Sequence, residues 1–291
     1  MRKKIAIGTV NFGMAYGVGE GCYQVTRQQI EQMLEYCVDQ RLDLFDTAPA
    51  YGNSECVLGE ICPSGAKIVT KVVKLEVDVV TENAIQTLED GLQCSLKQLS
   101  TSSVYGLLVH NVDDLFKLGA EKIVAWMMGL KERGLVRKIG VSAYSLAEVN
   151  ALYTKHRFDL VQLPINLFDQ RFLASGTLDW LHDSGVEIHA RSLFMKGLLL
   201  KEICPREADA VLKAHHKHFL DYLVHSSLHA FDVCMMFATS LKVVDRWVLG
   251  FSKLAQLKEV VEWKETESVR RVHLSKWSLD SHTSVDPRTW K

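Results

Sequence analysis

Only five prolines occur in 291 residues, and no Pro-, Gly- or Ser-rich stretch divides the chain. Nothing marks a linker, so a single domain over residues 1–291 is the expectation, with a short polar tail from about residue 264. No apolar run is long enough to span a bilayer. The basic start "MRKK" is followed by no apolar segment with a small-residue cleavage site, which argues against a secretory signal. An excess of one charge is also missing: 34 Lys and Arg stand against 35 Asp and Glu, a net charge of −1 with no basic run. A nucleic-acid or membrane partner is therefore not indicated, and a soluble cytoplasmic protein is expected. The seven cysteines are odd in number and form no CxxC pair, which favours reduced thiols buried as small hydrophobes over a disulfide frame or zinc site.

What is present is an alternation. Short apolar runs ("KIAIGT", "LDLFDT", "KIVTKV", "VYGLLVH", "RKIGVS", "FDLVQLP", "VEIHARS", "RWVLGF") each precede a helical pattern. In "TRQQIEQMLEYCVDQ", Ile30, Met33, Leu34 and Cys37 fall on one face. Thr81 reads as an N-cap, Ser145 with Glu148 as a capping box, and Gly134 and Gly185 as helix stops. Single helices are expected over "RFLASGTLDWLHDSG" and over 209 to 225. Eight strand–helix units, with strands that do not alternate in polarity, predict an α/β fold, a closed (β/α)8 TIM barrel. A doubly wound open sheet is the alternative, but no GxGxxG turn supports it.

In such a barrel, chemistry sits where the strands end. Those ends carry Asp46, Lys71, His110 and Ser142, and Tyr51 sits on the loop after Asp46. A tyrosine is a weak acid near neutrality, an adjacent ammonium favours its phenolate, and a carboxylate keeps that ammonium charged. A histidine alongside can pass protons or hydrogen-bond a substrate oxygen. Each residue also has an ordinary reading: a loop-holding acid, a half-buried aromatic, a solvated strand-end lysine, a rim histidine. Their joint placement favours catalysis at a carbonyl or alcohol. A second chemistry makes Lys71 a Schiff-base nucleophile in an aldolase-type barrel.

"DTAPAYGNSECVLGE" resembles the signature of the aldo-keto reductases. "IVTKV", "LLVHN", "GLVRKIGVSAYS", "FDLVQLPINLFDQR", "VEIHARSLFMKGLLL" and "SLKVVDRWVLGFSKLAQLKEVV" resemble later segments of that family in the same order, so the likeness spans about residues 4 to 262. The resemblance implies an NADP(H)-dependent oxidoreductase, with NAD as competitor, acting on a small-molecule aldehyde or ketone. Tyr51 would be the general acid, Asp46 and Lys71 its tuning pair, and His110 the orienting partner. Ser142 and Gln162 would hold the nicotinamide carboxamide. Gly8, Thr9 and Val10 would meet the cofactor at the first strand end, and Ser192 and Leu193 at its pyrophosphate. In the eighth unit Ser252, Lys253 and Gln256 would lie near the adenosine 2′-phosphate, and Gly250 would also bind the cofactor. Departures from the family pattern are Ala143 and Val260 for asparagines, Gln256 for an arginine, and Arg191 for the aromatic that often stacks on nicotinamide. Arg191 is expected instead to bring charge to a phosphate or the substrate.

On the substrate side, the glycine-rich first loop "NFGMAYGVGEGCYQ" offers Phe12, Tyr16 and Tyr23, and Asn111 adds a polar group. The first loop also resembles aldo-keto reductases of sugar and surface-polysaccharide pathways. The short polar tail predicts an open site. In "KAHHKHFLDYLVH", His215 and His216 are adjacent and cannot share one helix face, so a solvated helix is expected there in preference to a metal site. A cofactor-binding regulatory subunit without turnover is a third reading, with no dedicated sequence signal. Oligomeric state is not encoded legibly.

Overall fold

All eight apolar runs become strands in the computed structural model, which describes residues 1–17, 23–206, 208–279 and 282–286. They are β1 (Ile5–Gly8), β2 (Leu44–Asp46), β3 (Lys67–Val72), β4 (Val104–Val109), β5 (Val136–Ser142), β6 (Leu160–Pro164), β7 (Glu187–Arg191) and β8 (Arg246–Gly250). Each pairs in parallel with its sequence neighbours, and β8 closes on β1. The fold is a closed parallel (β/α)8 barrel. The registers Gly8↔Asp46, Gly8↔Gly250 and Ser142↔Gln162 bring several expected site residues to the same end of the barrel.

Two apolar cores follow from strands buried on both faces. Ala6, Leu44, Val69, Leu108 and Leu160 form a fully buried cluster of their own, while a larger one packs strands against helices. The helix Arg27–Gln40 buries Ile30, Met33, Leu34 and Cys37, the face its periodicity indicated. Burial also pushes the Cys37 thiol up to about 12, so this cysteine acts as a core residue. Thr81 accepts a hydrogen bond from the Ala84 amide, and the Ser145–Glu148 capping box forms in full. Gly134 and Gly185 both take the left-handed conformation that ends a helix.

Some expectations change. The helix expected over 171 to 185 is two, Arg171–Ala174 and Thr177–Asp183, because Gly176 turns left-handed at φ 73°. The helix Ala210–Ser226 is not merely solvated: it buries Leu212, His216, Phe219 and Leu223. Another helix, Ala230–Ser240, follows it before β8. The tail is not a loose polar strip either. Trp277 is 1% exposed, and the Leu279 amide bonds the Phe168 carbonyl at 2.8 Å in the loop after β6. Residues 18–22 of the first loop and 287–291 of the tail, including Cys22 and Trp290, lie outside the described residues. Among the described residues, no helix is long and apolar enough to cross a membrane.

Candidate active site

The centre of the mouth is a buried ion pair. Lys71 projects from β3 with 0% side-chain exposure and donates to Asp46 Oδ1 and Oδ2 at 3.0 and 2.9 Å and to the Thr47 carbonyl at 2.8 Å. Gln162 on β6 donates to the same Asp46 Oδ1 at 2.7 Å. Burial, the largest influence, opposes the charge on Lys71, but Asp46 and Tyr51 together outweigh it, and the lysine pKa is raised. The charged ammonium is therefore favoured, held by Asp46 and the Thr47 carbonyl and close to Tyr51.

Tyr51 lies over that ammonium, with Lys71 Nζ 4.8 Å from its ring centroid, and His110 meets it edge-on at 5.9 Å. The net shift on Tyr51 is upward. Burial dominates, and the opposing pull of Lys71 does not cancel it. A phenolate at rest, which the lysine alone suggested, is thus not what the site favours; the phenol holds its proton. His110 moves the other way, down to about 4, through burial first and the Lys71 charge second. At neutral pH it is an uncharged imidazole, able to donate or accept a hydrogen bond.

A hydroxyl web fixes the Tyr51 loop. Ser54 Oγ shares its one proton between Thr9 Oγ1 at 2.7 Å and the Thr9 carbonyl at 2.9 Å, and lies 3.1 Å from Thr47 Oγ1. Thr9 Oγ1 in turn donates to the Asp46 carbonyl at 2.9 Å. Glu55 is 1% exposed and accepts from Thr70 at 2.6 Å, tying the helix Ser54–Ile61 to the strand that carries Lys71. Burial raises the Glu55 pKa. Backbone contact completes the fit: a Cβ on Gly13 would sit 1.7 Å from the Tyr51 carbonyl, and Gly52, at φ 60°, leaves 2.3 Å to the Gly13 carbonyl.

The aldo/keto reductase family model matches residues 4–271. The chain belongs to the aldo/keto reductase family. A Bacillus subtilis aldo-keto reductase, YhdN, is 28% identical over 178 residues, covering 58% of this chain and 53% of its own. An aldo-keto reductase of Mycolicibacterium vanbaalenii is 32% identical over 136 residues, covering 44% and 45%. The matched stretch thus spans about half the length of each relative. Among solved structures, the holo form of aldo-keto reductase AKR11C1 from Bacillus halodurans aligns with a TM-score of 0.73 at 16% identity, over 96% of this chain and 94% of that one. The glycerol dehydrogenase AKR11B4 from Gluconobacter oxydans aligns at 0.64 and 18%, over 92% and 89%. These two likenesses concern the fold.

The remaining expected residues of this aldo/keto reductase divide into those the fold brings to the mouth and those it does not. Gly8, Ser142, Arg191 and Gly250 end their strands and Thr9 follows β1 directly, Gln162 lies in the middle of β6 opposite Ser142, and Val10 opens the short helix Val10–Gly13. Ser192 adopts φ 65° and Leu193 is buried, so the chain turns sharply off β7. Ser252 and Lys253 precede the helix Leu254–Glu262, with Lys253 exposed. Gln256 is exposed. Its Oε1 caps the amides of Ser252 and Lys253 at 2.9 and 3.2 Å, so it shapes the helix start. Val260 is buried in the core.

On the substrate side, Tyr16 is 42% exposed, yet its hydroxyl is shielded enough for burial to push its pKa up to about 12, with Tyr51 adding to the rise. Tyr23 is exposed and its hydroxyl approaches the Ser252 carbonyl at 3.5 Å. Asn111 donates to Asp114 at 3.4 Å and joins His110 and Tyr144 in lining a cleft of about 470 Å³. Phe12 is the correction: at 1% exposure it packs in the core and presents no surface to a substrate, because the helix Val10–Gly13 turns its ring inward. A larger depression of about 610 Å³, around Val79, Leu118 and Lys122, is lined by none of these residues. His215 bonds the Trp277 carbonyl at 2.9 Å, and among the described residues no cluster of His, Cys, Asp or Glu is placed to hold a metal.

Sequence reasoning missed Glu55, Thr70, Ser54 and Thr47. Their signal was adjacency to the residues it selected. It also missed a network toward the other end of the barrel: Glu187 accepts from Tyr105 at 2.6 Å and pairs with Lys138 and with the fully buried His189. The period-two spacing of Glu187, His189 and Arg191 in "EIHAR" carried that signal.

Proposed function

We propose that this chain is an NADP(H)-dependent oxidoreductase that reduces an aldehyde or ketone to an alcohol, with Tyr51 as general acid. The observation that carries the reading is a protonated phenol packed on a buried ammonium that a carboxylate keeps charged. The donor set suits a nicotinamide dinucleotide. The Ser142 hydroxyl and the Gln162 amide suit a carboxamide, and Ser252 and Lys253 suit a phosphate. Bound there, the reduced cofactor would supply a hydride to the carbonyl carbon.

The protein's own contribution is proton handling. Tyr51 gives its phenolic proton to the carbonyl oxygen as negative charge develops there. The phenolate left behind faces the Lys71 ammonium, and Asp46 and the Thr47 carbonyl hold that ammonium in place. His110, being neutral, donates a hydrogen bond to the same oxygen without adding charge. In the reverse direction the phenolate takes the proton of an alcohol.

The test is Tyr51→Phe, read by NADPH turnover against an aldehyde and ketone panel and by tryptophan fluorescence on cofactor titration. Turnover is expected to fall by a factor on the order of 10² to 10⁴ while NADPH binding survives. Full activity in the variant rules out Tyr51 as the acid. Parallel titration with NADPH and NADH settles preference, and NADPH is expected to bind tighter through Ser252 and Lys253. Tight binding with no reduction of any carbonyl favours a regulatory subunit. A Schiff-base role for Lys71 is disfavoured because its raised pKa and its ion pair with Asp46 favour the charged ammonium over the free amine a nucleophile needs; borohydride trapping of a carbonyl on Lys71 would reverse that judgement.

A further inference from the structure

Arg191 at the end of β7 is a cation with no ion-pair partner among the described residues. Its guanidinium carbon lies 4.0 Å from the Tyr144 ring centroid, and one guanidinium nitrogen makes a weak 3.5 Å contact with the Ala143 carbonyl. No carboxylate among the described residues forms an ion pair with it. Glu148, which with Tyr144 lines the cleft beside His110, is taken up by the backbone amides of Tyr144 and Ser145 at 2.6 and 3.0 Å. An arginine presents five donors in a rigid fork, and a fork left mostly unused on a half-buried residue matches a planar oxyanion.

A second cation sits nearby. Lys196 is half-buried, with its Nζ 5.6 Å from the Tyr16 ring centroid. Its pKa is lowered by burial, Asp286 pulls the other way, and the Arg191 charge adds to the lowering. Ser192, Met195 and Lys196 all hold positive φ, so the backbone that presents these two side chains is strained. Arg191 also acts on the reacting groups: burial dominates the low pKa of His110, and the Arg191 charge contributes to it.

We infer that Arg191, seconded by Lys196, is the specificity residue of the mouth, and that the carbonyl substrate it selects carries a carboxylate or phosphate. The inference rests on the reductase reading above and names the substrate class that reading leaves open. A cofactor phosphate offers the same oxyanion chemistry. The placement favours the substrate, because Tyr144 beneath Arg191 lines the cleft shared with His110 and Asn111.

The test uses the full chain, with and without NADPH, and two readouts. In the first, benzoate and benzyl alcohol are titrated by calorimetry against the wild type, Arg191→Met, Arg191→Lys and Lys196→Met, each checked for folding by circular dichroism. Benzoate is expected to bind the wild type in preference to benzyl alcohol. Arg191→Met should weaken it about tenfold to a hundredfold, the effect of one lost hydrogen bond to a charged group. Arg191→Lys and Lys196→Met should weaken it less. In the second, reduction of 4-carboxybenzaldehyde is compared with that of benzaldehyde, and the ratio of their kcat/KM values should exceed one and fall in Arg191→Met.

Benzoate binding through Arg191 with no reduction of any aldehyde leaves the anion site standing and removes the reductase reading. Reduction with no carboxylate preference and no benzoate binding leaves the reductase standing and overturns the anion site. Weakened NADPH binding in Arg191→Met with benzoate unaffected assigns the cation to the cofactor and also overturns it.

Discussion

Lys71 shows what a single residue in this barrel requires of its neighbours. A fully buried ammonium is tolerable only because Asp46 and the Thr47 carbonyl replace its water. Asp46→Asn keeps the shape and removes the charge, leaving an uncompensated cation. Urea denaturation should show a loss of about 3–5 kcal/mol, and a loss below about 1 kcal/mol would contradict the geometry. His110 gives a pH signature. Its folded pKa, about 4, lies below the ordinary 6.5, so the unfolded chain binds the extra proton across that interval. Stability therefore falls as pH drops from about 6.5 to about 4, and this contribution stops falling below the folded value. His110→Gln should remove that part of the slope, read as the difference between two stability curves. These residues were legible because strand ends in a barrel announce themselves by polarity. The upward shift of Tyr51 was not legible, since it depends on how much water the folded mouth excludes.

At the scale of elements, the site depends on how closely two loops approach. Gly13 and Gly52 pass so near each other that neither has space for a methyl group, and the contact is with backbone, which cannot rotate away. Gly13→Ala should displace the Tyr51 loop, lower kcat, and cost at least about 1–3 kcal/mol as overpacking. Normal kcat with normal stability would show that the loop relaxes freely. By contrast Glu148→Ala removes one half of a capping box and should cost about 1 kcal/mol by thermal unfolding. Local signals of that kind were readable in the sequence: Thr81, Ser145 with Glu148, and the Ile30–Cys37 face all follow from short-range rules. What was not readable depended on tertiary contact. Nothing local distinguishes a Gly176 that breaks a helix from one that is carried within it. Phe12 went inward and Trp277 was buried because of partners distant in sequence.

The whole molecule is held by closure, since β8 pairs with β1 across the length of the chain. Neither half can satisfy its sheet edges alone, and we propose that residues 1–291 behave as one domain. The interior layer of Ala6, Leu44, Val69, Leu108 and Leu160 draws on five strands, so damage there is shared around the barrel. Its packing also sets Gly140, where an added Cβ would meet the Leu160 carbonyl at 1.8 Å. Leu160→Ala opens a cavity in that layer and should cost about 2–5 kcal/mol. Two probes report on different parts: the buried Trp247 on β8 contributes to fluorescence, and far-ultraviolet circular dichroism reports the outer helices. If the barrel is one unit, both transitions shift to lower denaturant by the same amount in Leu160→Ala. A shift in fluorescence with the helical signal left behind would mean that the ring of helices keeps a stability of its own, and that closure does not bind the chain into a single domain.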